Sequence, residues 1–209
     1  MSNNENKIFV INQSKSDKLK GMIFPYNKIW FTADPHLFHK NIIGICNRPY
    51  NDVNEMWEDF KNKWNSKVKD DDYVFILGDF IWSSSKEKVE RICKQLKGNK
   101  IIILGNHDKE KSYLTDEIYY VGNLEKICVN DINNSNYIYE IILCHYPMAS
   151  WDGSFRGNIQ LFGHCHCNFP EEKQLWNQFD VGFDRKYDLW SMDELMDVFS
   201  KRLIEKGGL

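Results

Sequence analysis

Apolar residues recur with helical spacing in several stretches of the chain. The clearest stretch runs from Val53 to Val68, where gaps of three and four between apolar residues are typical of one face of an amphipathic helix. A second helix is predicted from Lys86 to Leu96, because serines that can cap a first turn precede it and Gly98 follows it. A last helix is predicted to begin at the capping box Ser191–Glu194, in which Glu follows Ser at the spacing that caps a first turn.

Short, mostly apolar runs between these segments predict buried β-strands. The first half of the chain alternates such runs with helices, whereas the second half consists mostly of runs, two of them joined by an Asn-Asn-Ser turn. This order predicts an α/β fold in which two sheets pack together as a β-sandwich flanked by helices. The predicted strands are Ile29–Phe31, Tyr73–Leu77, Lys100–Leu104, Lys126–Ile132, Tyr137–Cys144, Ile159–Phe162 and Phe179–Phe183.

The first 27 residues do not share this alternation. They contain one apolar run, Ile8–Ile11, a charged patch and the segment Gly21–Pro25. We expect residues 1–27 to form an extension or an edge strand. Residues 28–209 are expected to form one domain, because a chain of 209 residues suits a single hydrophobic core.

The composition argues against several classes of protein. The net charge is −3, so the chain lacks the basic surplus that drives binding to a nucleic-acid backbone. No apolar run approaches the ~18 residues of a membrane span, and the N-terminal residues do not resemble an export signal. We therefore expect a cytoplasmic protein with reduced, mostly buried thiols. The six cysteines are Cys46, Cys93, Cys128, Cys144, Cys165 and Cys167.

Five of the six histidines belong to an ordered series of short motifs rich in metal-binding residue types. Most of these motifs follow an apolar run, and residues at the ends of neighbouring buried strands converge in space. Within Asp-x-His and His-x-His, extended backbone would turn both side chains to one side. Carboxylate oxygen and imidazole nitrogen suit borderline divalent ions, and glycines beside the ligands allow sharp turns. The series is Asp34-Pro35-His36, Gly78-Asp79, Gly105-Asn106-His107-Asp108, His145 and Gly163-His164-Cys165-His166.

This series resembles the calcineurin-like metallophosphoesterase superfamily. The neighbouring segments Thr32–Ile43, Asn47–Tyr50 and Leu143–Pro147 are similar to a branch of small bacterial and phage members. The resemblance extends from Lys28 to the C-terminus. It implies the four-layer architecture of that superfamily and a binuclear centre of two divalent ions, with manganese favoured over iron, zinc or nickel.

The resemblance also implies a role for each motif residue. Asp79 would bridge the two ions, and a hydroxide shared by the ions would attack phosphorus. His107 would protonate the leaving alkoxide or stabilise the transition state. Asp108 would orient His107 or cap the following helix. The first ion would be bound by Asp34, His36, Asp79 and His166, and the second by Asp79, Asn106, His145 and His164.

Several residues near these motifs have two open interpretations. His39 would contact the substrate phosphate or hydrogen-bond a loop, and Arg48 would clamp a phosphate or pair with an acid on the following helix. Tyr146 and Trp151 would stack on a base or pack against a loop. The cysteines beside the ligands, at positions 144, 165 and 167, are expected to point into the core or the sheet.

These observations predict a metal-dependent phosphoesterase that acts on a small phosphodiester or a nucleotide. Phosphoprotein phosphatases of the superfamily carry an Asp-Arg-Gly element after Gly78-Asp79, and here Phe80–Ser83 stands in that place. The predicted partner is thus a small phosphorylated substrate, with no membrane or nucleic-acid polymer. A phosphomonoesterase and an inactive binding scaffold of the same fold are the alternatives. The sequence predicts no oligomeric state.

Overall fold

The computed structural model describes residues 18–19, 21–131 and 137–205. The apolar run Ile8–Ile11 and the predicted Asn-Asn-Ser turn lie outside these residues. The helices are α1 Lys40–Ile45, α2 Val53–Lys67, α3 Lys86–Cys93, α4 Glu110–Tyr113 and α5 Met192–Glu205. The strands are β1 Ile23–Pro25, β2 Ile29–Thr32, β3 Tyr73–Leu77, β4 Asn99–Ile103, β5 Ile118–Gly122, β6 Leu124–Asp131, β7 Tyr137–Cys144, β8 Ile159–Phe162, β9 Gln178–Asp180 and β10 Trp190–Ser191.

Side-chain caps begin the three long helices. The Asp52 carboxylate accepts two backbone N–H groups at the start of α2, and the Ser85 hydroxyl accepts one at the start of α3. At α5 the predicted capping box is present, because Ser191 and Glu194 hydrogen-bond each other's backbone N–H. Helix α3 ends three residues before the predicted Leu96, since the chain tightens there into turns that bond to carbonyls three residues back.

The strands form two five-stranded mixed sheets, so the predicted pair of sheets flanked by helices is confirmed. One sheet has the order β10-β2-β3-β4-β5, in which β2, β3, β4 and β5 are parallel and β10 is antiparallel. The other has the order β1-β6-β7-β8-β9, in which only the β6–β7 pair is antiparallel. Strand β1 places part of the segment before residue 28 at the edge of this second sheet.

Alternating side chains of the parallel strands divide the core into two clusters. Phe75 and Leu77 of β3 face the second sheet, whereas Val74 and Ile76 face α2 and α3. The predicted apolar face of α2 is buried in the second cluster, as expected for core residues. Helix α5 contributes Leu195 and its neighbours to the cluster between the sheets. Within the described residues, no helix is both long and apolar enough to cross a membrane.

The cysteines are all free, but the expectation that most are buried is wrong. Only Cys93 is buried, Cys167 is exposed and the other four are partly buried. Cys165 and Cys167 lie in the turns after β8, outside the sheet, and Cys144 at the end of β7 is only partly covered. Hydrophobic periodicity predicts burial within strands, and these thiols sit beyond or at the last residue of their strands.

Candidate metal centre

The predicted metal ligands meet at one edge of the two sheets. Strands β2, β3 and β4 are parallel neighbours, so the residues that follow them emerge side by side. Strands β7 and β8 are parallel neighbours in the other sheet and end toward the same place. A bridge between Ala33 and Gly182 joins the two sheets there. Each motif begins within a few residues of a strand end: Asp34 and His36 after β2, Asp79 after β3, Asn106 after β4, His145 after β7, and His164 and His166 after β8.

Asp79 lies at the centre of this arrangement. Its Oδ2 is 3.4 Å from His36 Nε2 and 3.7 Å from His145 Nε2, while its Oδ1 accepts the backbone N–H of His107 at 2.9 Å. The ligand atoms of Asp34, Asp79 and His145 all lie within 4.8 Å of one another. The Asp79 carboxylate thus faces both His36 and His145 across the site.

Two groups of ligands flank Asp79. Asp34, His36 and His166 bring their ligand atoms within 4.8 Å of one another on one side. On the other side, Asn106 Oδ1 lies 3.1 Å from His145 Nε2 and 3.0 Å from His164 Nδ1. His164 and His166 therefore lie in different groups, His166 with Asp34 and His36, and His164 with Asn106.

Burial affects the protonation of two predicted ligands, His145 and His36. The Leu77 carbonyl accepts a hydrogen bond from His145 Nδ1 at 2.8 Å, which fixes the ring and leaves Nε2 to the site. Burial lowers the pKa of His145 and, with the nearby charges of His166 and Arg48, lowers the pKa of His36 to about 2. Both rings are therefore neutral, the form that coordinates a metal.

The buried carboxylates show whether the site suits cations. Asp34 is fully buried, and its Oδ1 has no hydrogen-bond partner among the described residues. Burial, together with the charges of Asp180 and Asp79, raises its pKa well above the ordinary value. Buried carboxylates packed this closely are costly unless a cation compensates them. With neutral imidazoles beside them, these residues fit divalent metal ions.

The backbone at the ligands differs from the expected extended form. Left-handed conformations are uncommon for residues other than glycine, and a non-glycine residue in one of them is strained. The two spaced pairs therefore reach the site through tight left-handed turns, and the prediction based on extended backbone is wrong. The ligands with positive φ are Asp34 (55°), His36 (47°), Asp79 (52°), His164 (71°) and His166 (46°).

The glycines beside the ligands are required by close packing. A Cβ added at Gly105 would overlap the Asp79 carboxylate, and one at Gly163 would overlap the Asp34 carboxylate. A Cβ at Gly78, whose φ is +91°, would overlap the His145 ring. The predicted role of these glycines in keeping bulk away from the site is confirmed.

The contacts of Arg48 correct the prediction that it clamps a substrate phosphate. The side chain is fully buried, and all of its N–H groups point at partners inside the protein. It makes a two-pronged ion pair with Asp184 at 2.6 and 3.0 Å, and it donates to the carbonyls of Asp34 and Pro35. The acid that it pairs with is thus in a distant segment and not on the following helix.

Asp184 is a residue that sequence reasoning missed. Its Oδ2 accepts a hydrogen bond from His166 Nδ1 at 2.7 Å, which orients that ring toward Asp34 and His36. Burial alone would raise the pKa of Asp184, but hydrogen bonds from His166 and Arg48 hold that pKa below its ordinary value. A lone acid in an irregular segment has no pattern that a single sequence could reveal.

The Asp108 carboxylate contacts backbone and not the His107 ring. It accepts the N–H groups of Asp79 at 2.7 Å, Gly105 at 2.9 Å and Phe80 at 3.2 Å, and it accepts the Tyr113 hydroxyl at 2.7 Å. These contacts hold the loops after β3 and β4 together. No contact of this carboxylate supports the interpretation that Asp108 orients His107. Nor does Asp108 cap α4, because the N-cap residue of that helix is Lys109.

The remaining candidates surround the open side of the centre. His107 is exposed, with its ring centroid 5.6 Å from that of His36 and 5.2 Å from that of Trp82. His39 is partly buried and stacks on Trp82 at 3.9 Å, so its ring packs against an aromatic neighbour. Tyr146 is exposed and contacts the His164 ring edge-on, whereas Trp151 is buried and packs against its own loop.

Comparison with known proteins identifies the class to which such a site belongs. The family model of the calcineurin-like phosphoesterases matches residues 27–192. The protein therefore belongs to this family of metal-dependent phosphoesterases, whose members generally bind two divalent metals. The predicted superfamily is thereby confirmed.

Similar proteins occur in archaea and phages. Uncharacterized protein MJ1445 of Methanocaldococcus jannaschii is 34% identical, with 86% of this chain and 93% of the relative covered. Gene 66 protein of Mycobacterium phage L5 is 28% identical, with 85% and 97% covered. Among solved structures, the protein of unknown function AQ665 from Aquifex aeolicus has a TM-score of 0.59 at 20% identity, covering 81% of this chain and 98% of its own. That likeness supports the fold alone.

Proposed function

We propose that the protein hydrolyses a small phosphodiester or a nucleotide at a binuclear centre of divalent ions, with manganese as the favoured metal. The observation that carries this proposal is the arrangement around Asp79, whose carboxylate faces ligands of both groups. The first ion would be held by Asp34, His36, Asp79 and His166. The second would be held by Asp79, Asn106, His145 and His164.

Two bound ions would supply an acidified water as the nucleophile and would neutralise charge on the phosphoryl oxygens. The protein's own contribution is to fix the ligands. Asp184 and the Leu77 carbonyl orient two of the imidazoles from behind, so that their other nitrogens face the site. The Asp108 carboxylate holds the backbone of Asp79 in its strained conformation.

His107 is assigned to the leaving group. Its backbone N–H is anchored on Asp79 Oδ1 at 2.9 Å, while its ring is exposed beside the centre. An imidazole in this position can donate a proton to the departing alkoxide, which lowers the barrier to P–O cleavage. His39 stacks on Trp82, which also neighbours the His107 ring, and we propose that His39 contacts the substrate phosphate.

A small substrate is favoured by two features of the sequence. The Asp-Arg-Gly element of phosphoprotein phosphatases is replaced by Phe80–Ser83, and the net charge of −3 offers no basic surplus for a nucleic-acid polymer. A small phosphodiester or a nucleotide fits both observations, and we propose that the diester is cleaved faster than the matched monoester. We also propose that the protein acts in the cytoplasm, that its partner is the small phosphorylated substrate, and that it does not act at a membrane.

The test compares Asp79→Asn and His107→Asn with the wild-type protein on bis(p-nitrophenyl) phosphate and p-nitrophenyl phosphate, with added Mn²⁺. We expect Asp79→Asn to lose at least about 10³-fold in kcat and to bind fewer ions by metal analysis. His107→Asn should bind both ions but lose about 10²–10⁴-fold in kcat. Full activity of metal-stripped Asp79→Asn protein would contradict the proposal. A wild-type preference for the monoester would favour a phosphomonoesterase, and two-metal binding without any hydrolysis would favour a binding scaffold.

A further inference from the structure

A pocket of about 520 Å³ opens next to His107. Its lining residues are Trp82, Ser83, Ser84, His107 and Lys109. None of the predicted metal ligands lines it, so it is a space beside the centre and not the centre itself. The pocket is large enough for a group of nucleoside size.

Trp82 is held firmly while part of its ring remains accessible. Its backbone N–H donates to the Leu37 carbonyl, and a β-bridge between Leu37 and Ile81 ties its turn to the segment after β2. The His39 ring covers one face of the indole at 3.9 Å and an interplanar angle of 13°. The side chain is nevertheless 42% exposed. A large aromatic ring held in this way can stack on a flat ligand. Little conformational entropy of the Trp82 side chain would be lost on binding, because the fold already restricts it.

The rest of the pocket wall is polar and carries positive charge. Ser83 and Ser84 bring hydroxyl groups, and Lys109 brings an exposed ammonium at the start of α4. In the part of the chain that the structure describes, no ion pair is formed by Lys109. A group that combines an aromatic plane, hydrogen-bonding atoms and negative charge is therefore complementary to this wall.

His107 connects the pocket to the reaction. If this residue protonates the departing oxygen, the part of the substrate attached to that oxygen must lie on the His107 side of the phosphorus. The pocket is on that side, because His107 is one of its walls. The occupant is thus the leaving group and not the phosphoryl group that stays at the centre.

We propose that this pocket binds the leaving group of the substrate and that this group is a nucleotide, with its base stacked on Trp82 and its phosphate facing Lys109. The proposal rests on the proposed function for the direction of the leaving group. It assigns substrate selection to Trp82 and Lys109, neither of which is a predicted metal ligand. A water-derived oxygen would form the new bond to phosphorus while the bond from phosphorus to the ribose oxygen of that nucleotide breaks, and the proton from His107 would end on this ribose oxygen.

The test measures binding of adenosine and AMP by calorimetry, using the full chain with the Asp79→Asn change so that binding is observed without turnover. Adding Trp82→Ala should weaken adenosine binding about 5- to 100-fold, the value of base stacking on an aromatic side chain. Trp82→Phe should retain most of the affinity. Lys109→Ala should weaken AMP binding a few-fold and leave adenosine binding unchanged. Phe155→Ala, which removes a 96% exposed ring in a different pocket, is the matched control.

The two proposals fail in different ways. Diester cleavage together with unchanged adenosine affinity in Trp82→Ala would overturn the pocket proposal and leave the proposed function intact. Adenosine affinity that depends on Trp82 in a protein with no phosphoesterase activity would support the nucleoside site while the proposed function fails. A separate experiment introduces Trp82→Ala alone, without the Asp79→Asn change, so that turnover can be measured. This variant should raise KM for a dinucleotide more than it lowers kcat. An equal KM in the two proteins would count against the pocket.

Discussion

The candidate centre has a closed half and an open half. In the closed half Asp34 and His36 are buried, and a buried Arg48–Asp184 ion pair braces them from behind. In the open half Asn106 and His164 are exposed, and their ligand atoms contact one another or His145. This difference indicates that contacts within the protein hold the predicted ligands of the closed half in place without an ion or a substrate. The other set faces the solvent side, where the substrate must enter.

The two halves should also differ in how well they tolerate substitutions. The closed half contains charges that only their partners stabilise, so loss of one partner is costly there. Asn106 and His164 of the open half are exposed to water, so truncation of either side chain leaves little unsatisfied. Three changes should separate the two halves, and their expected effects decrease in the order given.

Arg48→Ala is expected to have the largest effect. It leaves the Asp184 carboxylate buried with one fewer partner and releases the carbonyls of Asp34 and Pro35. We expect a loss of about 3–5 kcal/mol in the free energy of unfolding, measured in urea on metal-free protein. The control is His164→Ala in the open half, for which we expect a change within about 1 kcal/mol. Similar losses in the two variants would refute the division into closed and open halves.

Gly163→Ala tests the close packing of the closed half. The added Cβ would overlap the Asp34 carboxylate and the Ala33 side chain, so we expect about 1–3 kcal/mol of destabilisation and weaker metal binding by calorimetry. Gly44→Ala in α1 is the matched control, because a Cβ there meets nothing within 4 Å. That variant should gain about 0.5–1 kcal/mol. A neutral Gly163→Ala variant would show that the closed half is loosely packed.

Acid sensitivity should come partly from His36. Its pKa is about 2 in the folded protein against 6.5 when unperturbed, so between these values the unfolded state binds a proton that the folded state does not. This contribution is present above pH 6.5 and is lost as the pH falls, by about 1.4 kcal/mol per pH unit. His36→Asn should therefore show a shallower decline in stability between about pH 6.5 and 5 than wild type, both metal-free, in urea titrations. Parallel declines would contradict the lowered pKa.

The sequence by itself determined the three long helices, seven of the strands and the series of chemical groups, whereas the short helices α1 and α4 and the strands β5 and β10 were not predicted. The face of α2, the capping box at Ser191 and the parallel runs of β3 and β4 are local patterns, which arise from periodicity and short-range hydrogen bonding. The placement of each motif near a strand end also follows from the sequence, because buried strands are apolar and the motifs that follow them are not. These features lie within a few residues of one another along the chain.

Only the tertiary structure decided what surrounds those groups. The Arg48–Asp184 pair joins residues 136 positions apart, and the Asp108 carboxylate bonds to backbone 28 and 29 positions away. Hydrophobic patterns contain no information about such polar contacts, and the left-handed backbone at the ligands is imposed by packing and not by residue type. The pocket beside Trp82 also depends on the folded structure, because its lining residues come from the loops after β3 and β4, which are neighbouring strands of one sheet. Short sequence motifs therefore determine which chemical groups the site contains. The orientation of these groups and their access to solvent depend on the tertiary structure.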